Sequence, residues 1–400
     1  MNILFLFIAY PEDKDANFLT KDLPDEFSAR GDNVYVGTIR ERRLGLETAE
    51  KDEYGKKILR IKTGNMFNKV SRVEKALVML TLNRKILKEV KKKWGSVKFD
   101  LIVGSSPYTS NHKLIGGLKK FFDCPAFLIL WDIFPQNAKD LGIIKNNFLF
   151  KYLKNIEQKN LNEFDFIGCG SDGNLDYLIK NYPYVNKKKL LLFPLWGHKS
   201  KKINKEEIQR QDFGFSNNDF ILVFGGNMGI PQNLENILCL AQNVIEIESI
   251  KFLLIGTGTE AQRINIKAKE LNLTNITFID RLERNKYERV MASCDLGLVS
   301  LHPDFSVPNF PSKTIDYLKH GLPILASLDK TSLSDYGDFI ENKAKVGLAS
   351  YADDINKYKS NLLKLYDDKI FYQQLSDNCY DSYNNDFNIE NNYNRIKELI

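Results

Sequence analysis

Three residues in the stretch LHPDFSVPNFPSKTIDYLKHGLPILAS, residues 301–327, have side chains suited to hold a nucleoside diphosphate. Ser312 and Lys313 come at the predicted start of a helix, where a hydroxyl, an ammonium and unpaired backbone amides favour a phosphate. Asp316 follows one turn later, and its carboxylate is suited to accept hydrogen bonds from ribose hydroxyls. The same residues also fit an ordinary surface helix, with Lys313 solvated and Asp316 an exposed helix charge.

The residues that follow predict how this helix is positioned. Lys319 and His320 provide cations for the last helical turn, and Gly321 is placed to end the helix. The short apolar run 323–326 then predicts a buried strand of a parallel sheet. The element is therefore a loop, a helix and a strand.

Two glycine-rich turns, each between a predicted strand and a predicted helix, come earlier in the same half of the chain. GGNMG, residues 225–229, follows the strand Phe220–Phe224, and GTGTE, residues 256–260, follows the strand Phe252–Ile255. Glycine lets backbone amides approach a phosphate or a sugar closely. Two further strands, Ile276–Ile279 and Leu296–Ser300, lead into Asp280-Arg281-Leu282 and into the stretch described first.

The first half begins with a predicted strand, helix and strand over residues 1–39, which indicates a parallel sheet. Two later strands end in Ser106 and in Asp132, and ligands of open α/β sheets lie beyond such carboxyl ends. Both residues are therefore candidate contacts for a substrate. Asp132 also fits a plain N-cap of the next helix.

Charge is distributed unevenly along the chain. The net charge is +6, yet residues 51–100 hold 15 basic and 5 acidic side chains. A predicted helix, Val70–Trp94, has an apolar stripe at Val73, Leu77, Leu80, Leu87, Val90 and Trp94, surrounded by basic residues from Lys69 to Lys93. The basic face is either simply solvated or in contact with anionic lipid head groups. No recognised nucleic-acid motif accompanies this charge.

Length and composition limit the remaining possibilities. Four hundred residues suggest at least two domains, and five scattered cysteines without a CxxC argue against a disulfide framework or a zinc ribbon. The amino-terminal stretch has neither a signal peptide pattern nor the length of a membrane span. Asp13-Lys14-Asp15 has the form of a DxD metal motif, but it is interpreted as a solvated loop, and no metal site is predicted.

Over residues 215–330 the order and spacing of GGNMG, GTGTE, FIDRLERNKYERVMASCDLGLVSL and VPNFPSKTIDYLKHGLPILAS resemble the retaining family-4 glycosyltransferases of the GT-B fold. The segment LWDIFPQNAKDLGII resembles the branch that acts on polysaccharide and glycolipid precursors. The resemblance implies an α/β protein with two Rossmann-like domains, whose parallel sheets face a cleft. Residues 1–197 would bind the acceptor and residues 198–382 the nucleotide sugar. Residues 383–400 would form a terminal helix that crosses back to the first domain.

The family motifs also imply roles for individual residues. Asp316 falls on the second Glu of the family's Glu-x7-Glu motif, and Pro308 stands where the first Glu would be. Asn227 and Gln232 stand where the family has an Arg and a Lys that neutralise the diphosphate, which leaves Lys313 and Arg281 as cations. The donor-binding set is Gly226, Asn227, Gly229, Gln232, Gly256, Gly258, Arg281, Leu282, Pro308, Ser312, Lys313 and Asp316. The catalytic candidates are Lys313, Arg281 and Asp132, and the acceptor-side candidates are Ser106 and Asp132.

The implied activity is the transfer of a hexosyl or N-acetylhexosaminyl group, with retention, from a UDP-sugar to a glycolipid or polysaccharide-precursor acceptor. It needs neither a cofactor nor a metal, and it belongs to the synthesis of surface polysaccharide, such as capsule or lipopolysaccharide. The expected location is the cytoplasm, peripheral on the inner face of the membrane through the basic helix 69–93, with no nucleic-acid partner. Two alternatives remain open: a nucleotide-sugar epimerase on the same fold, and a catalytically silent GT-B subunit of an active partner.

Overall fold

The computed structural model describes residues 1–13, 19–66, 70–107, 109–201 and 210–400, without the side chain of Arg72. The chain divides into two compact units. Unit 1 comprises Met1–Pro135, Lys145–Trp196 and Ile389–Ile400, and unit 2 comprises Gln136–Ile144 and Gly197–Asn388. Asp13 is described, but Lys14 and Asp15 of the formal DxD motif lie outside the described residues.

Unit 1 is an eight-stranded sheet with helices. Its strands are β1 (Asn2–Leu6), β2 (Asn33–Glu41), β3 (Ala49–Glu53), β4 (Lys56–Thr63), β5 (Leu101–Ser105), β6 (Ala126–Leu130), β7 (Phe166–Cys169) and β8 (Leu190–Leu192). Its helices are α1 (Leu19–Ala29), α2 (Arg72–Trp94), α3 (His112–Phe122), α5 (Asn147–Glu163), α6 (Asp172–Asn181) and α14 (Ile389–Lys397). The spatial order of the strands is β3-β4-β2-β1-β5-β6-β7-β8.

All the strand pairs of this sheet are parallel except β3 with β4. The central strand β1 is buried from Ile3 to Leu6, as its uninterrupted apolar sequence requires. The predicted opening of strand, helix and strand is confirmed as β1, α1 and β2. The antiparallel hairpin β3–β4 was not predicted, because its charged residues hide the alternation that marks a strand.

Helix α2 confirms the predicted helix, but only part of the predicted apolar stripe, including Val90 and Trp94, is buried. The buried row is Val78, Leu82, Ile86, Val90 and Trp94, one residue in every four. The prediction that Val73, Leu77 and Leu80 belong to the buried stripe was wrong, since these side chains are 71%, 59% and 77% exposed. The predicted stripe joined two faces of the helix, and only the row spaced by four residues faces the protein.

Unit 2 has a six-stranded sheet in which every pair is parallel. Its strands are β9 (Phe220–Gly225), β10 (Ile250–Ile255), β11 (Ile276–Ile279), β12 (Leu296–Ser300), β13 (Ile324–Leu328) and β14 (Gly347–Tyr351), in the spatial order β11-β10-β9-β12-β13-β14. Its helices are α4 (Gln136–Asp140), α7 (Glu235–Asn243), α8 (Ala261–Glu270), α9 (Arg284–Ser293), α10 (Lys313–Lys319), α11 (Lys330–Ser332), α12 (Ile355–Asp367) and α13 (Lys369–Asn385). Two π-helical turns, Leu333–Gly337 and Phe339–Lys343, follow α11.

The segment 301–327 has the predicted loop, helix and strand, as α10 and β13. Gly321 lies in the left-handed region, with φ of 62°, which ends the helix as expected. His320, however, is not the cation that was expected in the last turn. Its side chain is buried, with Nδ1 2.7 Å from the carbonyl oxygen of Asp316, and burial lowers the pKa of its imidazole.

The last helix, α14, belongs to unit 1. It packs against α1, where the rings of Phe27 and Tyr393 lie 4.6 Å apart, and Ile389 and Ile396 enter the core of the unit. The division differs in three places from the boundaries drawn from the sequence. Residues 136–144 group with unit 2, Gly197 also belongs to unit 2, and unit 2 extends to Asn388.

Candidate functional site

Four loops leave the carboxyl ends of neighbouring strands in unit 2. They follow β11, β10, β9 and β12, which are consecutive in the sheet. Loops at the carboxyl ends of parallel strands lie at one edge of the sheet, which is where ligands bind in open α/β folds. These are the four loops that contain most of the predicted donor-binding residues.

The two glycine turns pack against each other. The amide of Met228 donates to the carbonyl oxygen of Thr257 at 2.9 Å, and the amide of Glu260 donates back to the carbonyl oxygen of Met228 at 2.9 Å. A Cβ at Gly256 would lie 1.9 Å from the carbonyl oxygen of Gly226, and one at Gly258 would lie 2.3 Å from that of Met228. Gly256 and Gly258 are therefore required by the contact between the turns.

Gly226 has a different role from Gly256 and Gly258. It is exposed, its φ is 125°, and nothing lies within 4 Å of the position of a Cβ. Asn227 is exposed beside it, whereas Gly229 is buried. The first glycine turn thus leaves open space at Gly226, whose amide donates to the carbonyl oxygen of Ile255 at 3.0 Å, and presents an exposed Asn227.

Lys313 is the central cation of this edge. Its Nζ donates to Oε1 of Gln232 at 2.6 Å and lies 3.5 Å from the centroid of the Phe224 ring. In the part of the chain that the structure describes, no carboxylate pairs with it. Loss of hydration lowers the pKa of Lys313 well below its ordinary value. An ammonium held in this way gains from an anionic ligand.

Helix α10 is fixed below this cation by Tyr317. The buried hydroxyl of Tyr317 lies 2.9 Å from the carbonyl oxygen of Leu298 and accepts from the amide of Gly225 at 3.3 Å. Gly297 makes room for the ring, because a Cβ there would lie 2.4 Å from Cγ of Tyr317. The helix is therefore tied to both β9 and β12.

Asp316 lies one turn along α10 and is held by an arginine that was not predicted. Nη2 of Arg284 donates to Oδ1 of Asp316 at 2.6 Å, and its Nε donates to Glu288 at 2.9 Å. Lys319 also binds Glu288, at 2.8 Å. Arg284 is in the motif FIDRLERNKYERV, but its pairing with a residue 32 positions away is a tertiary contact without a local signal.

The remaining donor candidates are more scattered. Ser312 is exposed, and its side chain makes no capping hydrogen bond to α10. Arg281 is also exposed, and Leu282 is partly exposed, in the loop after β11 at one edge of the sheet. Because β10 and β9 separate β11 from β12, the fold does not place Arg281 directly beside Lys313.

Pro308 is buried in the loop between β12 and α10. Other residues of this loop contact neighbouring parts of unit 2. The amide and the hydroxyl of Ser306 both donate to Oδ2 of Asp140, at 2.9 and 2.7 Å. The ring of Phe310 lies 4.9 Å from that of Tyr336 and 5.8 Å from that of Phe387. These contacts fix the loop that leads into Lys313.

In unit 1, Ser106 and Asp132 are neighbours. Oγ of Ser106 accepts from the amides of Trp131 and Asp132, at 2.9 and 3.1 Å, and so holds the end of β6. Asp132 does not cap a helix, since α4 begins at Gln136. Its side chain is exposed, and its carboxylate has no hydrogen bond or ion pair among the described residues. Asp132 is therefore available to a ligand.

The segment 205–382 matches the model of a family described as Glycosyl transferases group 1. This match covers the four loops of unit 2 that contain most of the predicted donor-binding residues. The segment is thus similar to the group 1 glycosyltransferases.

A curated relative agrees with this family. The chain is 26% identical over 216 residues to the "Probable glycosyltransferase WbjE" of Pseudomonas aeruginosa. The aligned region is 51% of this chain and spans about half, 51%, of that relative.

Solved structures match the chain over almost its whole length. Anabaena HepE, solved in complex with UDP, has a TM-score of 0.70 at 14% identity, over 100% of this chain and 99% of that chain. WaaG, described as a glycosyltransferase involved in lipopolysaccharide biosynthesis, has a TM-score of 0.66 at 15% identity. The match covers 96% of this chain and 95% of WaaG. The predicted α/β fold, with two domains of parallel strands as in GT-B glycosyltransferases, is confirmed.

No group of three or more His, Cys, Asp or Glu side chains among the described residues is arranged to hold a metal ion. The described helices include none that is both long and apolar enough to cross a membrane.

Proposed function

We propose that the protein is a glycosyltransferase that uses a nucleotide-diphosphate sugar and that Lys313 holds the diphosphate. The observation that carries the proposal is the environment of Lys313. Its ammonium, which has no carboxylate partner among the described residues, lies between Gln232 and the Phe224 ring, next to the glycine turns. A largely desolvated cation without a counter-ion is unfavourable unless a ligand supplies the anion.

The chemistry of the proposed reaction follows from charge. When the sugar departs from a nucleoside diphosphate, negative charge grows on the β-phosphate, and a fixed cation stabilises that transition state more than the ground state. Lys313 supplies that charge, and the exposed Asn227, beside the open space at Gly226, supplies hydrogen-bond donors. Gln232 holds Lys313 in place, where a lysine at position 232 would repel it. The reaction therefore proceeds with these groups and without a metal.

Asp316 binds the ribose in this proposal. A carboxylate that accepts from Arg284 still has lone pairs for two hydroxyls of a ribose. The ion pair between Arg284 and Asp316, with a distance of 2.6 Å, fixes the orientation of the Asp316 carboxylate toward the ribose hydroxyls. The complex of HepE with UDP supports a uridine nucleotide as the donor.

Asp132 and Ser106 stand on the acceptor side, where the exposed carboxylate of Asp132 orients an acceptor hydroxyl. The acceptor we propose is a glycolipid or a polysaccharide precursor, and the transfer is with retention of configuration. This choice is supported by the similarity to WaaG, described as acting in lipopolysaccharide biosynthesis, and by the exposed surface of α2.

The surface of α2 supports peripheral attachment to an anionic membrane. Val73, Leu77 and Leu80 are exposed on a helix whose last turn contains Lys91, Lys92 and Lys93. Phe148, at the start of α5, is 85% exposed, and both helices pack against α3. Apolar side chains next to cations are the combination with which interfacial helices bind anionic lipid. Lys69 of the predicted basic stretch lies outside the described residues.

The experiment that tests the proposal is turnover of UDP-sugars by the purified protein, with and without a lipid extract as acceptor and with EDTA in parallel. We expect release of UDP that increases with the lipid acceptor and persists in EDTA. Binding of UDP-sugars without any turnover would favour a silent subunit, and interconversion of the free nucleotide sugar would favour an epimerase. A strict need for manganese or magnesium would contradict the metal-free mechanism.

A further inference from the structure

Unit 1 contains a cluster of buried cations that the donor site does not explain. Arg40 on β2 and Arg60 on β4 are only 4% and 1% exposed. Arg60 on β4 is paired with Thr38 on β2. Arg40 lies two residues beyond Thr38 on β2, so the side chains of Arg40 and Arg60 lie on the same face of the sheet. Two guanidinium groups are therefore buried close together, toward the carboxyl ends of these strands.

Both guanidinium groups contact one carboxylate, that of Glu12. Arg40 makes a two-pronged contact with it, Nε to Oε1 at 2.7 Å and Nη2 to Oε2 at 2.8 Å. Nε of Arg60 lies 3.3 Å from Oε2 of Glu12. Burial favours the neutral acid, but the hydrogen bond from Arg40 and the charges of both arginines outweigh it and lower the pKa of Glu12.

Glu12 differs from Glu53, the other carboxylate that binds Arg60, in its position and exposure. Glu53, which binds Nη1 and Nη2 of Arg60 at 2.6 and 3.1 Å, belongs to β3 and is only 12% exposed. The side chain of Glu12 is 38% exposed and belongs to the loop after β1. The carboxylate of Glu12, on a solvent-accessible loop, therefore lies between the buried guanidinium groups of Arg40 and Arg60. Glu53, in contrast, is part of the sheet.

The cluster also has polar atoms that its own residues leave unsatisfied. Nε of Arg60 is buried and has no hydrogen bond among the described residues, although Glu12 is near. The hydroxyl of Tyr10 is also buried and has no partner in the described part of the chain, and its ring centroid lies 6.0 Å from the Arg60 guanidinium. Buried donors of this kind are costly and usually have a partner.

Glu12 is the carboxylate that joins the two arginines. Without Glu12, Arg40 would have no carboxylate partner among the described residues, and Arg60 would keep only Glu53. An oxyanion with several oxygens could bind both guanidinium groups in place of Glu12.

We propose that Arg40 and Arg60 form a binding site for a phosphate group and that Glu12 occupies this site while the phosphate is absent. Paired guanidinium groups bind phosphate oxygens in the same two-pronged way as they bind a carboxylate. The site lies toward the edge of the sheet where ligands of α/β units bind. The proposal rests on the proposed function in one respect: the phosphate is assigned to the acceptor, a phosphorylated sugar or lipid.

The test compares binding of inorganic pyrophosphate by Glu12→Gln and by its parent, both in a Lys313→Met background that removes the donor-site cation. Gln keeps the shape of Glu12 but not its charge, so the competing internal anion is lost. We expect at least about tenfold tighter binding of pyrophosphate by Glu12→Gln in calorimetry. Acetate at equal ionic strength should bind much more weakly than pyrophosphate.

Glu47 provides a matched control. Its carbonyl oxygen accepts from Nη1 of Arg40, but its carboxylate binds Lys62 and is 79% exposed. Glu47→Gln should leave pyrophosphate binding unchanged, and adding Arg40→Gln to Glu12→Gln should abolish the gain. Equal affinity in Glu12→Gln and its parent, or the same gain in Glu47→Gln, would overturn the site.

Folding provides a second readout. If Glu12→Gln is unstable, pyrophosphate should raise its thermal midpoint more than that of its parent. A variant that stays unfolded with pyrophosphate would show that Glu12 only completes a structural ion-pair network, and the proposal would be wrong. Either result leaves the donor site untouched, because binding of UDP by the otherwise native protein is measured separately.

Discussion

Both units hold largely desolvated cations near the carboxyl ends of parallel strands, but they neutralise these cations differently. In unit 1, Arg40 and Arg60 are met by carboxylates, at 2.7 Å from Glu12 and at 2.6 Å from Glu53. In unit 2, Lys313 is met by the neutral amide of Gln232 at 2.6 Å and by an aromatic ring. Arginine stays charged when buried, whereas a lysine responds by lowering its pKa. Because Gln232 is neutral, Lys313 depends on an external anion to neutralise its charge. Arg40 and Arg60, in contrast, already have carboxylates of the protein as partners.

The largest expected effect is the loss of turnover when Lys313 is replaced. Lys313→Met keeps the length and the apolar stem but removes the ammonium that stabilises the leaving diphosphate. We expect turnover to fall by about 10²- to 10³-fold, the usual effect of losing one such group. The thermal midpoint should not decrease, because a desolvated cation is removed. A lower midpoint with unchanged turnover would make Lys313 a structural residue.

Asp316→Ala should weaken binding of the nucleoside diphosphate by roughly 1.5–3 kcal/mol, since hydrogen bonds to a charged acceptor are lost. Glu288→Gln is the matched control, because Glu288 also binds Arg284 but lies on α9. It should change the affinity much less. Equal losses in the two variants would show that Asp316 acts only through Arg284, and unchanged affinity in Asp316→Ala would remove it from the site.

The lowered pKa of Lys313 predicts a pH dependence of binding. A bound diphosphate favours the ammonium, so the pKa of Lys313 rises in the complex, which then holds more protons than the free protein. Affinity should therefore fall as the pH rises through the pKa of the free protein, by up to about tenfold per pH unit. Titrations of UDP across the pH range in which the protein stays folded check this, and Lys313→Met should show no such slope.

The smallest effect concerns the membrane. The protein should sediment with anionic liposomes at low salt and be released at high salt, since salt shortens the Debye length from about 10 Å at 0.1 M to about 3 Å at 1 M. Replacing Lys91, Lys92 and Lys93 with Gln should weaken this binding, as should Ser at positions 73, 77 and 80. Ile370→Ser, at a 76% exposed position in unit 2, is the control. Equal binding to neutral and anionic liposomes, or no binding, would contradict the proposal.

The comparison also separates what the sequence predicts from what it does not. Local signals were sufficient for α10, Gly321 and β13, because capping residues and an apolar run act on their immediate neighbours. The pairing of Arg284 with Asp316 and that of Arg40 with Glu12 span 32 and 28 residues, so that only the tertiary fold brings them together.

The glycine turns and α2 show the same limit. Gly256 and Gly258 fit the predicted motif, but their backbone contact with the first turn depends on the order of β9 and β10. On α2, several apolar spacings fit a helix, and the sheet decides that the row containing Val78 and Leu82 is buried while Leu80 stays exposed. Sequence periodicity gave the helix without its orientation.

The most direct test of the central claim compares the binding of UDP and of uridine to the wild-type protein and to Lys313→Met by calorimetry. If Lys313 holds the diphosphate, the wild-type protein binds UDP far more tightly than uridine. The substitution then reduces the affinity for UDP and leaves that for uridine unchanged. Equal losses for both ligands, or UDP binding that is indifferent to the substitution, would contradict the assignment of Lys313 to the diphosphate.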